Sequence, residues 1–156
     1  MTIALEHATG TAEETALVPS QVRERLAKYI ARHHSDIDLP FAERIVVAAA
    51  QFQDACAQNP GVPLAPSKVV DIGWHAWLMH TRDNLRLSAR IGGAVHHVPT
   101  EAAASREGDA KAVRQRTLDA LTRAGHTVDP EMWPSNAMTG DCSQCHAGCT
   151  DSPVGK

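Results

Sequence analysis

The sequence predicts an all-α protein, a compact bundle of about five helices with an irregular Cys-rich C-terminal tail. Three observations support this prediction. Apolar residues recur at helical spacing in several segments, Pro and Gly separate those segments, and no stretch alternates apolar and polar residues for a useful length. We therefore expect a loose N-terminal segment over 1–18, a single helical domain over 19–134 and a Cys-rich tail over 135–156.

The first two predicted helices each have one apolar face. The first begins near Pro19 and fades near His34, and its apolar face consists of Val22, Leu26, Tyr29 and Ile30. The second begins after Asp38, with Pro40 in its first turn, and ends at Asn59. Its apolar stripe consists of Phe41, Ile45, Ala48, Ala49, Phe52 and Cys56.

Three more helices are predicted after the Pro-rich connector 62–66. The third should run from about 67 to 80, and the fourth from roughly 83 to 91, where Gly92 stops it. The convincing part of the fifth covers 109–124, and Gly125 stands where a C-terminal glycine belongs. Asp-Pro and Trp-Pro pairs then break any regular pattern.

Composition and charge narrow the possible functions. The 156 residues suit one domain, and a formal net charge of -3 without a basic run argues against nucleic acid and anionic membranes as partners. No apolar stretch approaches the roughly 20 residues that cross a bilayer. The acidic N-terminus does not look like a secretory signal, so we expect a cytoplasmic protein. The oligomeric state stays open.

The densest chemistry lies between Asp71 and His97. Asp71 and His75 are four residues apart, which places them about 40° from each other on one helical face. This spacing lets one helix offer two ligands to a metal, or lets a carboxylate orient an imidazole. Trp74 and Trp77 could stack and wall such a site. A plain hydrogen-bonded helix pair without a metal is the alternative.

The remaining histidines of the cluster are harder to place. His80 is five residues past His75, about 140° around an ideal helix, and joins it only if the helix ends or bends there. His96 and His97 follow a Gly-Gly turn in an extended segment, so only one of the pair can face Asp71. His7, His33, His34 and His126 lie in predicted ends and loops and are expected to be solvated.

This pattern resembles the glycine-rich domain-containing protein family. The matching residues are D-x-x-W-H-x-x-x-x-H and G-x-x-x-x-H, and V-D-I-G-W-H, T-R-D and H-H-V-P are similar to small actinobacterial relatives. The resemblance covers roughly 38–100 and implies a shared His site in which His97 takes part ahead of His96. It names no reaction. It departs at Trp77, where longer plant members tend to have His, and at Asn84, where relatives tend to have Tyr.

The C-terminal tail is a second candidate metal site. Cys142 and Cys145 have the C-x-x-C spacing of a zinc knuckle, Cys149 adds a thiolate, and His146 or Cys56 could be the fourth ligand. Such a set suits zinc or copper(I), and the relatives also end in a Cys-rich tail. C-x-x-C-H is also the haem c attachment motif, although haem attachment normally follows export and we expect no secretory signal. A disulfide with one free thiol is a further alternative.

Two functions follow from these sites. In the first, Asp71, His75, His80 and His97 hold zinc, iron or copper, and an open position serves a small metalloenzyme that acts on a small molecule or peptide. In the second, the protein is a non-catalytic metal-binding or adaptor protein, and its Cys tail binds zinc or copper(I). The stripe Arg82, Arg86 and Arg90 could bind a carboxylate, or could simply be a solvated face.

Overall fold

A computed structural model describes residues 16–97 and 107–135, with side chains in the second stretch from residue 110. The described residues form five α-helices and no strand, which confirms the predicted all-α bundle. In chain order the helices are α1 Ser20–His33, α2 Leu39–Gln58, α3 Lys68–Met79, α4 Thr81–Ile91 and α5 Glu107–Arg123. Each observed boundary lies close to the predicted one. The Cys-rich tail lies outside the described residues.

Local capping explains why the helices begin and end where they do. The Asp38 carboxylate accepts a hydrogen bond from the Phe41 N–H at the start of α2, and Ser67 caps α3 in the same way. Gly92 and Gly125 have φ values of 85° and 84°, a left-handed conformation that glycine adopts without steric cost. These glycines end α4 and follow α5, so the caps read from the sequence are confirmed.

Helix α2 is the centre of the bundle, because it contacts each of the other four helices. Its buried face carries many alanines, and these small side chains let neighbouring helices approach closely. The largest buried side chains come from the helices around it and from α2 itself: Trp74, Trp77, Phe52, Leu26, Ile30 and Ile45. The five buried alanines of α2 therefore leave room for α1 and α3 to pack closely against the central helix.

Helices α2 and α3 approach each other closely at Gly73 of α3. A Cβ atom at this position would lie 2.7 Å from the Ile45 carbonyl oxygen and 2.8 Å from the Ala49 Cβ. The backbones of α2 and α3 are therefore in direct contact, and only glycine fits. This contact fixes the position of the next two residues, Trp74 and His75.

The chain after α5 packs back onto the bundle. Met132 and Trp133 are buried, and the Ser67 hydroxyl donates to the Met132 carbonyl oxygen. Arg44 of α2 binds Asp129 and Glu131. Among the residues that the structure describes, no helix is long and apolar enough to cross a membrane.

Candidate metal centre

Helix α3 presents Asp71 and His75 side by side, as their spacing predicts. The His75 Nδ1 lies 2.9 Å from the Asp71 carbonyl oxygen and 3.3 Å from the Asp71 Oδ2. Because a carbonyl oxygen can only accept a hydrogen bond, Nδ1 carries the proton. In the neutral ring the lone pair is then on Nε2, which is the form that binds metals.

His97 reaches the same place from another part of the chain. The left-handed Gly92 ends α4 and turns the chain back toward α3. The His97 Nε2 lies 3.6 Å from the Asp71 Oδ1, and the His75 and His97 ring centroids are 4.7 Å apart. His96 is exposed, as expected for neighbours in an extended segment. The structure thus brings His97, and not His96, to Asp71 and His75.

The three side chains converge closely enough to share one ion. One ligand atom from each of Asp71, His75 and His97 lies within 4.8 Å of the others. Two donors bound tetrahedrally to one zinc at 2.0–2.1 Å are about 3.4 Å apart. The 3.6 Å between the His97 Nε2 and the Asp71 Oδ1 is near that value and longer than a normal hydrogen bond. Because the donor atoms lie up to 4.8 Å apart, the widest pair would have to approach by at most about 1.4 Å to complete a three-ligand shell.

The three side chains of the group are mostly buried. Asp71 is only 6% exposed, and the side chains of His75 and His97 are 12% and 10% exposed. A buried carboxylate is costly unless cationic groups or hydrogen bonds compensate its charge. The His97 Nε2 is buried and makes no hydrogen bond to the described part of the chain. This nitrogen therefore has a lone pair or proton that the described residues do not use.

Trp74 forms one wall of the group, and Trp77 does not. The Trp74 ring lies edge-on to His97, with centroids 4.5 Å apart, and also contacts Phe52. The Trp77 indole instead donates to the Val46 carbonyl oxygen of α2, 3.1 Å away. The two indoles follow different faces of α3. The expectation that the two indoles stack together is therefore wrong. The role of Gly73 in the close α2–α3 contact was not predicted from the sequence.

His80 lies away from this group. Helix α3 ends at Met79, the His80 Nδ1–H donates to the Ala76 carbonyl oxygen over 2.8 Å, and its ring packs edge-on against Tyr29 of α1. The predicted helix break is present, but it does not turn the ring toward His75. The structure therefore groups three of the four residues proposed for the histidine site and leaves His80 against α1.

His126 differs from its predicted solvated state. Its Nε2 lies 2.6 Å from the Asp54 Oδ2, and both side chains are mostly buried. The left-handed Gly125 directs the chain back onto α2, which a sequence reading of a loop residue could not anticipate. His126 therefore fastens the end of α5 to the central helix.

The proposed tail ligands Cys142, Cys145, His146 and Cys149 lie outside the described residues. Cys56, a suggested fourth ligand for the tail, is in α2 and largely buried. Burial raises the pKa of the Cys56 thiol to about 12, so the protonated thiol is favoured at neutral pH. The Cys56 thiol would have to lose this proton before it could bind a metal.

The sequence matches one protein-family model over most of its length. The UCP032817-like family model matches residues 12–131, well over half of the chain. The chain belongs to the UCP032817-like family. No curated protein and no solved structure gives a significant match. The range matched by the UCP032817-like model contains Asp71, His75 and His97 and ends before Cys142.

This membership corrects the resemblance drawn from the sequence. The UCP032817-like family is uncharacterised and is not a glycine-rich domain-containing family. The earlier resemblance depended on a few Trp and His positions in under half of the chain, too short a pattern to decide membership. The expectation that Trp77 stands in the place of a lost His is withdrawn together with that resemblance. The Trp77 indole is part of the α2–α3 interface. The inclusion of His97 now depends on the geometry alone.

Proposed function

We propose that this protein binds one divalent transition-metal ion through Asp71, His75 and His97. The observation that supports the proposal is the convergence of the three donor atoms, from two separate segments, within 4.8 Å in a mostly buried site. Two imidazoles and one carboxylate bind zinc in hydrolases and Fe(II) in oxygenases. Zinc and Fe(II) are the first ions to test, and copper is the third.

We further propose that the bound ion keeps an open position and that the protein is a small metalloenzyme for a small molecule or peptide. Three protein donors leave at least one coordination position of a tetrahedral ion for water or substrate. The residues would hold the ion, and the ion would supply Lewis acidity at that position. Trp74 and Phe52 would keep that side of the site apolar, which strengthens electrostatic interactions inside it.

Two alternatives to this proposal predict a different metal content. In a metal-free protein, Asp71 would be stabilised by proton-carrying imidazoles, and no metal would bind stoichiometrically. In the non-catalytic alternative, the ion is bound mainly by Cys142, Cys145 and Cys149, and the histidine group only supports the fold. Metal content separates both from the proposal.

The first experiment is metal analysis of untagged protein, as purified and after reconstitution with zinc, Fe(II) and copper. We expect about one ion per chain in the wild type and in His96→Ala, whose exposed neighbouring imidazole makes it a matched control. His75→Ala and His97→Ala should lose this ion, and a truncation after Gly140 should keep it. If no reconstituted protein holds stoichiometric metal, the proposal is wrong. Loss of all metal on truncation, with retention in His97→Ala, would assign the ion to the tail.

The second experiment tests the open position. Cobalt(II) in the wild-type site should give visible absorption bands, and added azide should shift them if a coordination position is free. His96→Ala should respond in the same way, and His97→Ala should give no such bands. A cobalt spectrum that azide leaves unchanged would indicate a closed shell and would contradict the catalytic part of the proposal.

A further inference from the structure

A second candidate ligand site lies between α1 and α4. It is a cavity of about 430 Å³, within the range of small-molecule sites. Trp77 forms part of it and is two residues past His75, about 200° around the helix. The cavity is therefore on the other side of α3 from Asp71 and His75. Its apolar lining includes Leu17, Val22, Trp77 and Leu87.

The charged lining of this cavity has an excess of positive charge. Three guanidinium groups, those of Arg25, Arg86 and Arg90, line it together with one carboxylate, that of Asp83. Asp83 is buried and accepts hydrogen bonds from the Arg25 Nη2 and Nε, at 2.9 Å and 3.3 Å. Arg25 and Asp83 thus compensate each other, and the positive charge that is left belongs to Arg86 and Arg90.

Arg86 and Arg90 each have N–H donors available for an external anion. The Arg86 side chain is 67% exposed, and its nearest carboxylate oxygen, on Asp83, is 3.7 Å from Nη1. Arg90 uses Nη1 on the backbone oxygens of Ala16 and Leu17, and within the described ranges it forms no ion pair. A guanidinium has five N–H donors, and its planar shape matches a carboxylate. Both groups can therefore bind an external anion beside an apolar floor.

We propose that this cavity binds a small organic carboxylate, with its charged end at Arg86 and Arg90 and its apolar body against the half-buried Leu17 and Val22, above the buried Trp77. The proposal stands independently of the metal centre. It also divides the arginine stripe of α4, because Arg86 and Arg90 line the cavity and Arg82 does not. Arg82 is exposed on the same helix and makes a matched control.

The test uses two probes, octanoate and 3-phenylpropanoate, in calorimetric and NMR titrations of the full chain. At least one probe should bind saturably at one site and shift the Trp77 indole resonance, whereas 1-octanol should bind at least about tenfold more weakly. Arg86→Gln should weaken carboxylate binding about tenfold or more, and a tenfold change corresponds to about 1.4 kcal/mol of binding free energy. Arg86→Lys should recover part of the loss, and Arg82→Gln should bind like the wild type. Because Arg86 is exposed, these variants should fold, and circular dichroism checks that they do.

Several results would overturn the proposal. The proposal is wrong if neither probe binds saturably, or if 1-octanol binds as tightly as the carboxylates. It is also wrong if Arg82→Gln weakens carboxylate binding as much as Arg86→Gln does. The titration is repeated with His97→Ala, which lacks one of the proposed metal ligands. Unchanged binding there supports a separate site, whereas loss of binding would mean that the carboxylate binds at the metal centre instead.

Discussion

Replacement of Gly73 by alanine tests the contact that positions the candidate metal centre. The new Cβ would meet the Ile45 carbonyl oxygen at 2.7 Å, the Ala49 Cβ at 2.8 Å and the Ile45 Cγ2 at 2.9 Å. The first two of these atoms belong to the backbone or are attached directly to it, so no side-chain rotation can relieve the clash. Helix α3 has to move away from α2.

The expected magnitude combines two opposing effects. Extra methyl groups in a well-packed core destabilise by about 1–3 kcal/mol, and alanine in a helix interior is favoured over glycine by about 0.8–1.0 kcal/mol. We expect a net loss of about 1–2 kcal/mol, since the clash involves backbone and exceeds the propensity gain. For a chain of this size that corresponds to a fall in Tm of roughly 2–8 °C.

Urea unfolding followed by circular dichroism measures this change in the free energy of unfolding. Gly93→Ala is the control, because a Cβ there meets nothing within 4 Å. It should change the stability by less than about 0.5 kcal/mol. A Gly73→Ala variant as stable as the wild type, or more stable, would refute the reasoning. The same variant should also bind metal more weakly, because Trp74 and His75 directly follow the displaced residue.

Three further predictions concern other parts of the bundle. Ser67→Ala should lower the free energy of unfolding by about 1–3 kcal/mol in urea titrations. The Ser67 hydroxyl caps α3 and also donates a hydrogen bond to the carbonyl oxygen of the buried Met132. An unchanged unfolding midpoint would contradict this prediction. Burial tends to raise the pKa of Asp129, but hydrogen bonds from Arg44 and the backbone outweigh it and lower that pKa. The ionised Asp129 therefore stabilises the fold at pH values above its unfolded pKa of about 4. Asp129→Asn should lower the free energy of unfolding by less than about 1 kcal/mol at pH 7, and this difference from the wild type should disappear as the pH falls through the lowered pKa. A difference that persists in acid would refute this prediction. Cys56 has a pKa raised to about 12 by burial, so peptide mapping should find it resistant to iodoacetamide at pH 8 until urea unfolds the chain; rapid native labelling would argue against burial.

Local sequence predicts the helices well because their signals are local. Asp38 and Ser67 cap helices that begin at the next residue, and Gly92 and Gly125 adopt the conformation that ends or follows a helix. These effects depend on residues within one turn, so neighbours in sequence are sufficient evidence. The same argument holds for Asp71 and His75, which a single helix brings together.

Contacts between distant segments were predicted less well. His80 looked like a fourth member of the site, but the end of α3 places it against Tyr29, and His126 looked solvated, but it binds Asp54. The preference for His97 came from a family resemblance that proved wrong, although the structure brings this residue to the site. Each of these positions depends on the direction that the chain takes after a turn. The spacing of residues along one helix does not determine that direction.

The sequence by itself determined five helices, the caps at Asp38, Gly92 and Gly125, and the Asp71–His75 pair, because helical periodicity and capping act within a few residues. Only the tertiary structure decided that His97 completes the candidate metal centre and that Gly73 holds α3 on α2. It also decided that Arg86 and Arg90, but not Arg82, line a cavity with Arg25. These relations join residues far apart in sequence. They arise when apolar faces pack against one another, and a sequence shows that such faces exist but not how they meet.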